Sequence, residues 1–410
     1  MAHVQALRCR ECGRTYEVAP IYTCEWCFGP LEVAYDYDAI AATISRASIA
    51  AGPATIWRYA PLLPVDPPGE STLPVGWTPL LRADRLAAEL GLGEVWIKDD
   101  TRNPTNSFKD RVVAVALAKA LEFGMKTLAC ASTGNLANAV AAHAARAGLR
   151  SYVFIPSNLE PAKIITTAVY GGTVVAVDGN YDDVNRLCAE LASERPWAFA
   201  NVNVRPFYAE GSKTVAFETA EQLDWQAPDH VIVPVGSGSL LTKIRKAFDE
   251  LHTVGLLDEA PTVRVSGAQA TGCSPVATAF AEDTDVVRPV KPNTIAKSLA
   301  IGNPADGPFA VDAVRETGGG FAAVTDDEIV DGIRLLARTE GIFGETAAGV
   351  TIATLKRLAE QGVVRRDERV VAYVTGHGLK TLDVVTPQVG EAIEPTIDAF
   401  HAAFPDSGRD

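Results

Sequence analysis

From Glu94 onward, short apolar runs alternate with segments whose apolar residues recur at helical spacing. EVWIKD (94–99) predicts a strand, and RVVAVALAKALEFG (111–124) a helix stopped at Gly124. KTLACA (126–131) predicts a buried strand, followed by a helix over LANAVAAHAARAG (136–148). The series continues with the strand SYVFIP (151–156), a helix over PAKIITTAVYGG, the strand TVVAVD (173–178) and a helix over YDDVNRLCAELASERP. HVIVPV (230–235), TVRVSGA (262–268) and RVVAYVT (369–375) predict further strands. Strands and helices alternating in this way imply an α/β fold with parallel sheets covered on both faces. Ligands of such open sheets bind beyond the carboxyl ends of the strands. The residues that follow each strand are therefore the first place to look for chemistry.

Two regions break the alternation. Residues 1 to 35 are rich in cysteine and poor in apolar periodicity, and Pro61 to Pro79 read as a linker or an extended arm. No internal repeat or low-complexity tract is visible, and residues 403–410 are expected to fray.

Composition narrows the class. At 410 residues, 47 % hydrophobic and 21 % charged, the chain has the make-up of a globular protein of two or three domains. A formal net charge of −14 argues against a nucleic-acid partner, which needs a positive field. No run reaches the roughly 18 apolar residues of a membrane span. The opening MAHVQALRCRECG has no signal or transit character, so no membrane partner and a cytoplasmic location are expected.

Four of the seven cysteines form two tight pairs, Cys9-x2-Cys12 and Cys24-x2-Cys27, separated by 11 residues. Two such knuckles supply four thiolates at tetrahedral spacing and predict a structural zinc ribbon with no coordination position left for catalysis. Reduced surface thiols are the plainer alternative. Cys130, Cys188 and Cys273 are scattered, unlike a disulfide framework.

Four strand ends carry candidate chemistry. KDDTRNPTNSFKDR (98–111) places Lys109 at the start of a helix, with Ser107 and Asp110 as capping groups and Phe108 as an apolar wall. A lysine there can bond an aldehyde cofactor, or it can be an ordinary solvated first-turn residue. ASTGN (131–135) opens another helix, a place for a carboxylate or a simple cap. GSGSL (236–240) can cradle a phosphate with backbone N–H groups, or be a plain turn. It lacks both the dinucleotide fingerprint and the Walker lysine. TGHGLK (375–380) puts Thr375 at a strand end, where a neutral hydroxyl can face a pyridine nitrogen. His377 is either a site residue or a packed loop residue.

Taken together, NPTNSFKDR, STGN, VGSGS and TGHGLK resemble the threonine synthases, pyridoxal-phosphate (PLP) enzymes of fold type II in the tryptophan-synthase β superfamily. The resemblance covers about 75–385. It implies two open parallel-sheet α/β domains behind an N-terminal zinc ribbon. The ribbon would span 1–35, a large PLP-binding domain 36–110 and 205–400, and a small domain 111–204. It implies Lys109 as the Schiff-base lysine, with Phe108 beside the cofactor ring and Asn135 on the 3′-oxygen. Gly236, Ser237, Gly238 and Ser239 would hold the PLP phosphate, and Thr375 would face the ring nitrogen. Ser132, Thr133 and Gly134 would grip the substrate carboxylate. Two departures are visible: the family's glycine loop is often GNAGN, and its tail motif often continues GLKDP, where this chain has GSGSL and GLKTLD.

The substrate implied is O-phospho-L-homoserine, converted with water to L-threonine and phosphate by a lyase, and a homodimer is what the family suggests. Arg111 and Arg146 are the favoured cations for the substrate phosphate, with Lys98, Lys213 and Lys243 behind them. Residues 203–214 are expected to form a loop over the substrate, with Glu210, Ser212 and Lys213 facing in. A PLP enzyme of β-replacement or β-elimination, such as a cysteate synthase or a threonine/serine dehydratase, is the nearest alternative. A non-catalytic zinc-ribbon binding protein is the alternative of another class.

Overall fold

The computed structural model describes residues 3–132, 134–157, 167–179, 181–385 and 392–404. Three short strands open the chain, β1 (Val4–Cys9), β2 (Thr15–Tyr16) and β3 (Leu31–Tyr35), paired antiparallel in the order β2-β1-β3. On β3 the alternate residues Leu31, Val33 and Tyr35 are buried, the two-residue period of a half-covered strand. They share one hydrophobic core with Val112, Phe207 and Leu241, so the Cys-rich region is seated on the body of the protein.

Strands β4 (Leu80–Arg82) and β5 (Glu94–Asp99) come next. Then β6 (Thr127–Ala131), β7 (Arg150–Pro156), β8 (Thr173–Val177) and β9 (Ala198–Phe199) form a parallel sheet of order β8-β7-β6-β9. The later strands β10 (His230–Pro234), β11 (Arg264–Ala270), β12 (Phe321–Val324) and β13 (Arg369–Val374) join β4 and β5 in a sheet of order β12-β11-β10-β13-β5-β4. This larger sheet is parallel except for the edge strand β4. Every residue of β6 and β10 is buried, which explains their unbroken apolar runs: helices cover both faces.

Strand order decides where loops diverge. After β10 the chain builds outward through β11 and β12, then returns to β13 on the other side of β10. In the smaller sheet, β7 and β8 lie to one side of β6 and β9 to the other. Loops leaving strands on the two sides of such a switch part and open a crevice.

The helix expected over 111–124 starts earlier, as α1 (Lys109–Glu122), and that over 136–148 is α2 (Asn135–Arg146). The helix expected over PAKIITTAVYGG falls partly in 158–166, outside the described residues, as do 405–410 of the tail expected to fray. Strand β12 was not anticipated, because FAAV is four residues long and half alanine. The Pro-rich stretch is a packed arm: Leu63, Val65 and Val75 share a core with Ala114, Val115 and Ala118 of α1.

Candidate active site

The loop after β5 is fixed before it reaches Lys109. Asp110 accepts from the Thr105 N–H at 2.7 Å and hydroxyl at 2.9 Å, and faces His143 Nε2 at 3.1 Å. The loop is also stitched to the end of β13. Phe108 N–H donates to the Thr375 carbonyl at 2.8 Å, His377 N–H donates to Asn106 at 3.1 Å, and Ser107 bridges Gly376. Two strand-end segments far apart in sequence thus meet just before the first residue of α1.

Lys109 is half-buried, its amine 5.4 Å from the centroid of the Phe108 ring. Among the described residues no carboxylate pairs with it. Ser107, expected to cap, is fully buried with a hydroxyl that has no partner. Phe108, Leu240 and Thr375 line one recess with Tyr373 and Val215. That recess brings the loop after β5 and the end of β13 together with the start of the helix that follows β10.

The loop after β10 runs through Gly236, Ser237 and Gly238 into α5, with α3 (Arg205–Glu210), α4 (Lys213–Gln222) and α5 (Ser239–Thr253) following one another along the chain. Gly238 has φ +92°, which L side chains rarely adopt, and a Cβ on it would lie 2.6 Å from the Asp306 carbonyl oxygen. Glycine is required there twice over. The loop meets the amino end of a 15-residue helix, where unpaired N–H groups favour an anion.

From the smaller sheet, the segment after β6 supplies Ser132, whose hydroxyl lies 3.4 Å from the Gly134 N–H. Thr133 lies outside the described residues. Asn135, at the start of α2, donates its side-chain amide to both carboxylate oxygens of Glu345, at 2.9 and 3.1 Å. Glu345 was not singled out from the sequence. It precedes helix α6 (Thr346–Glu360), its N–H donates to Gly376 at 2.9 Å, and a Cβ on Gly376 would sit 2.4 Å from its carboxylate. Burial raises its pKa, while the Asn135 amide and the Lys380 and Lys109 charges pull it down. Its only forewarning was a lone acid ahead of an apolar helical run, GETAAGVTIATL.

Lys380 was also passed over. Its amine is buried without a hydrogen-bond partner, and burial lowers its pKa against the pull of Glu345 and Asp110. His377 proves to be a turn residue, its Nδ1 accepting from the Leu379 N–H at 3.1 Å and its ring edge-on to Phe343.

The expected substrate-phosphate cations take these places in the fold. Arg111 is fully buried and closed in a network, with Nε 2.7 Å from Asp100 and Nη1 2.6 Å from Glu218. Lys98 shares Glu218 at 2.7 Å. Arg146 is exposed in the last turn of α2, roughly 16 Å of helix rise from Asn135. Lys213 pairs with Glu210 and Glu250, and Lys243 with Glu32 and Glu210. The segment expected to cover the substrate is instead α3 and the start of α4, with Glu210, Ser212 and Lys213 buried inside the protein.

In the Cys-rich region, the sulfurs of Cys9, Cys12, Cys24 and Cys27 all lie within 4.8 Å of one another. Burial opposes ionisation of the Cys24 thiol, but the Tyr16 hydroxyl and the Cys27 and Trp26 amides outweigh it and hold the pKa at about 6. A set of four convergent sulfurs with one already biased to thiolate fits a tetrahedral metal.

The larger site likewise fits a phosphorylated aldehyde cofactor. It offers a half-buried amine that no carboxylate of the described residues pairs with, a glycine cradle at a helix start, and a buried hydroxyl in want of a partner. Residues 71–376 match the model of the family described as pyridoxal-phosphate dependent enzymes. The chain is 43 % identical over 395 residues to the threonine synthase of Methanocaldococcus jannaschii, covering 95 % of this chain and 96 % of that one. It is 39 % identical to the threonine synthase of Methanosarcina acetivorans, covering 97 % and 98 %. Among solved structures, maize serine racemase is similar in fold, with a TM-score of 0.60 at 20 % identity over 73 % of this chain and 89 % of that one. Diaminopropionate ammonia lyase from Escherichia coli is similar too, with a TM-score of 0.64 at 20 % identity over 77 % and 88 %.

Proposed function

The chain belongs to the pyridoxal-phosphate-dependent enzymes, among the threonine synthases, and from that premise we propose that it converts O-phospho-L-homoserine and water to L-threonine and phosphate with Lys109 as its catalytic residue. The observation that carries this reading is Lys109 itself: a half-buried lysine, without a carboxylate partner among the described residues, on the loop after β5 where it is stitched to the end of β13.

PLP, when bound, supplies an electron sink that makes protons next to the substrate's amino-bearing carbon removable. Lys109 would hold it covalently, with Phe108 against the ring. Gly236, Ser237, Gly238 and Ser239 would take its phosphate, Asn135 its 3′-oxygen, and Thr375 its ring nitrogen without protonating it. Ser132, Thr133 and Gly134 would orient the substrate carboxylate at the start of α2. The Lys109 amine would take a proton from the α-carbon and then one from the β-carbon, phosphate would leave the γ-carbon, which is then protonated, and after the hydroxyl of water adds at the β-carbon a proton would return to the α-carbon. One flexible amine can reach these neighbouring carbons. Lys380, the buried cation left without a partner, takes the substrate's anionic end in place of Arg111 and Arg146. Its neighbour Glu345 holds the Asn135 amide in orientation.

Four cysteine thiolates would hold a structural zinc, away from the reaction. A cytoplasmic homodimer completes the reading, and the seven free thiols suit a reducing compartment. Among the described residues, no helix is long and apolar enough to cross a membrane.

The test is the visible spectrum of the purified protein, followed by assay of phosphate and threonine from O-phospho-L-homoserine. A band at ~410–430 nm, expected for lysine-bound PLP, together with threonine supports the reading. A band with 2-oxo acid or a β-replacement product would redirect it to the related chemistries. No band after addition of PLP would remove it.

A further inference from the structure

The Cys-rich region reaches the glycine loop through one side chain. Arg10 stands between Cys9 and Cys12, and its N–H donates to Pro30 at 3.0 Å. Its guanidinium leaves the knuckle, lies 3.6 Å over the Phe309 ring and donates to Asp306 Oδ1 at 3.1 Å. Arg205 donates to the other oxygen, Oδ2, at 2.6 Å. Asp306, its side chain 7 % exposed, is therefore a carboxylate shared by two arginines from distant parts of the chain.

Asp306 is also the wall of the loop. Its N–H donates to the Ser237 carbonyl at 2.9 Å, and its own carbonyl closes on Gly238, the residue with positive φ. A second grip lies one step further on: Glu32 of β3 pairs with Lys243 in α5, the helix that the loop opens.

We propose that Arg10, acting through Asp306, is a positioning residue that holds the 236–239 loop ready for the cofactor's phosphate, so that the four-cysteine region governs the affinity for PLP. The inference rests on the loop being the PLP-phosphate cradle. Two physical effects support it. A glycine-rich loop is mobile, and convergent N–H donors bind an anion tightly only if they are ordered beforehand. Charge-assisted hydrogen bonds from two arginines to one carboxylate also hold the wall of that cradle in place, and Arg10 supplies one of them.

Dissociation constants of the full-length protein for PLP and for pyridoxal, which lacks the phosphate, separate this role from a general structural one. Arg10→Ala is expected to weaken PLP by ~10-fold, about 1.4 kcal/mol, to leave pyridoxal unchanged, and to retain wild-type metal content. Arg10→Lys should recover part of the loss. Asp306→Asn, which keeps the shape, should show the same selectivity, and Arg10→Ala should add little to it. Stripping the metal from the wild type with a chelator should reproduce the selective loss, with no further effect in Arg10→Ala. PLP affinity unchanged in Arg10→Ala, or PLP and pyridoxal weakened alike, overturns the proposal. If Arg10→Ala does not fold, Arg10→Lys and Asp306→Asn decide it by the same ratio. Absence of PLP binding by the wild type would instead overturn the functional reading on which it stands.

Discussion

Lys109 and Lys98 stand on either side of one loop and have opposite fates. Lys98, at the end of β5, is fully buried and gives its protons to Glu218, the Thr78 carbonyl and Gln222. Lys109, eleven residues on, is half-buried and forms no ion pair with a carboxylate among the described residues. A buried ammonium must be paired because desolvation is expensive. A reactive amine must be left unpaired, since an ion pair would hold it protonated and in place. The same contrast separates the whole Lys98–Arg111–Glu218–Asp100 network from the strand-end loops around it. The network sets the shape of the floor, and the loops above it keep groups in want of partners: the Ser107 hydroxyl and the Lys380 amine.

The contrast breaks most sharply at Lys109. Lys109→Ala should abolish the visible band and reduce threonine formation by at least ~10³-fold, with the urea midpoint unchanged because no ion pair is lost. A large drop in stability would show that Lys109 belongs with the structural lysines.

Glu218→Ala should do the reverse. It strands Lys98 and Arg111 in the interior and should destabilise the fold by about 3–5 kcal/mol in denaturant titration. Activity should survive at low temperature where the fold does. Glu218 also makes a pH prediction. Burial alone would raise its pKa, but the Arg111 and Lys98 charges bring it down to about 2. A depressed carboxylate contributes stability above its unfolded value near 4.3, and loses it as pH falls toward the folded value. Acid titration of stability should therefore lose slope between about 4 and 2 in Glu218→Gln.

Lys380→Ala tests whether the unpartnered amine serves the substrate. A rise in KM of ~10-fold with PLP binding intact is expected, and an unchanged KM would leave Lys380 a packing residue. The smallest effect belongs to Arg146→Ala, whose exposed site predicts activity and stability within about 0.5 kcal/mol of wild type. A substantial loss of activity there would restore it to the substrate site.

The strand-end placement of Lys109, Gly236–Ser239 and Thr375 could be read in the sequence because it follows from local pattern: an apolar run, a polar or glycine-rich turn, then helical spacing. Which charges were free could not be read. Arg111 looked available because its partner Glu218 lies 107 residues away, and Arg146 because helical spacing does not say which end of α2 faces the crevice. Glu345 was missed for the complementary reason: its partner Asn135 is 210 residues distant, and the turn before α6 carries no motif of its own.

By itself, the sequence determined the α/β alternation, the parallel sheets, the lysine at a helix start and the four-cysteine set, since each depends on periodicity or on spacing within one stretch of chain. Only the tertiary structure decided which lysine is unpaired, which carboxylate closes on Asn135, and that Arg10 of the cysteine knuckle reaches Asp306 beside the glycine loop. Those outcomes depend on desolvation and on partners supplied by other strands and helices, and strand order, which brings them together, is not a local property of the chain.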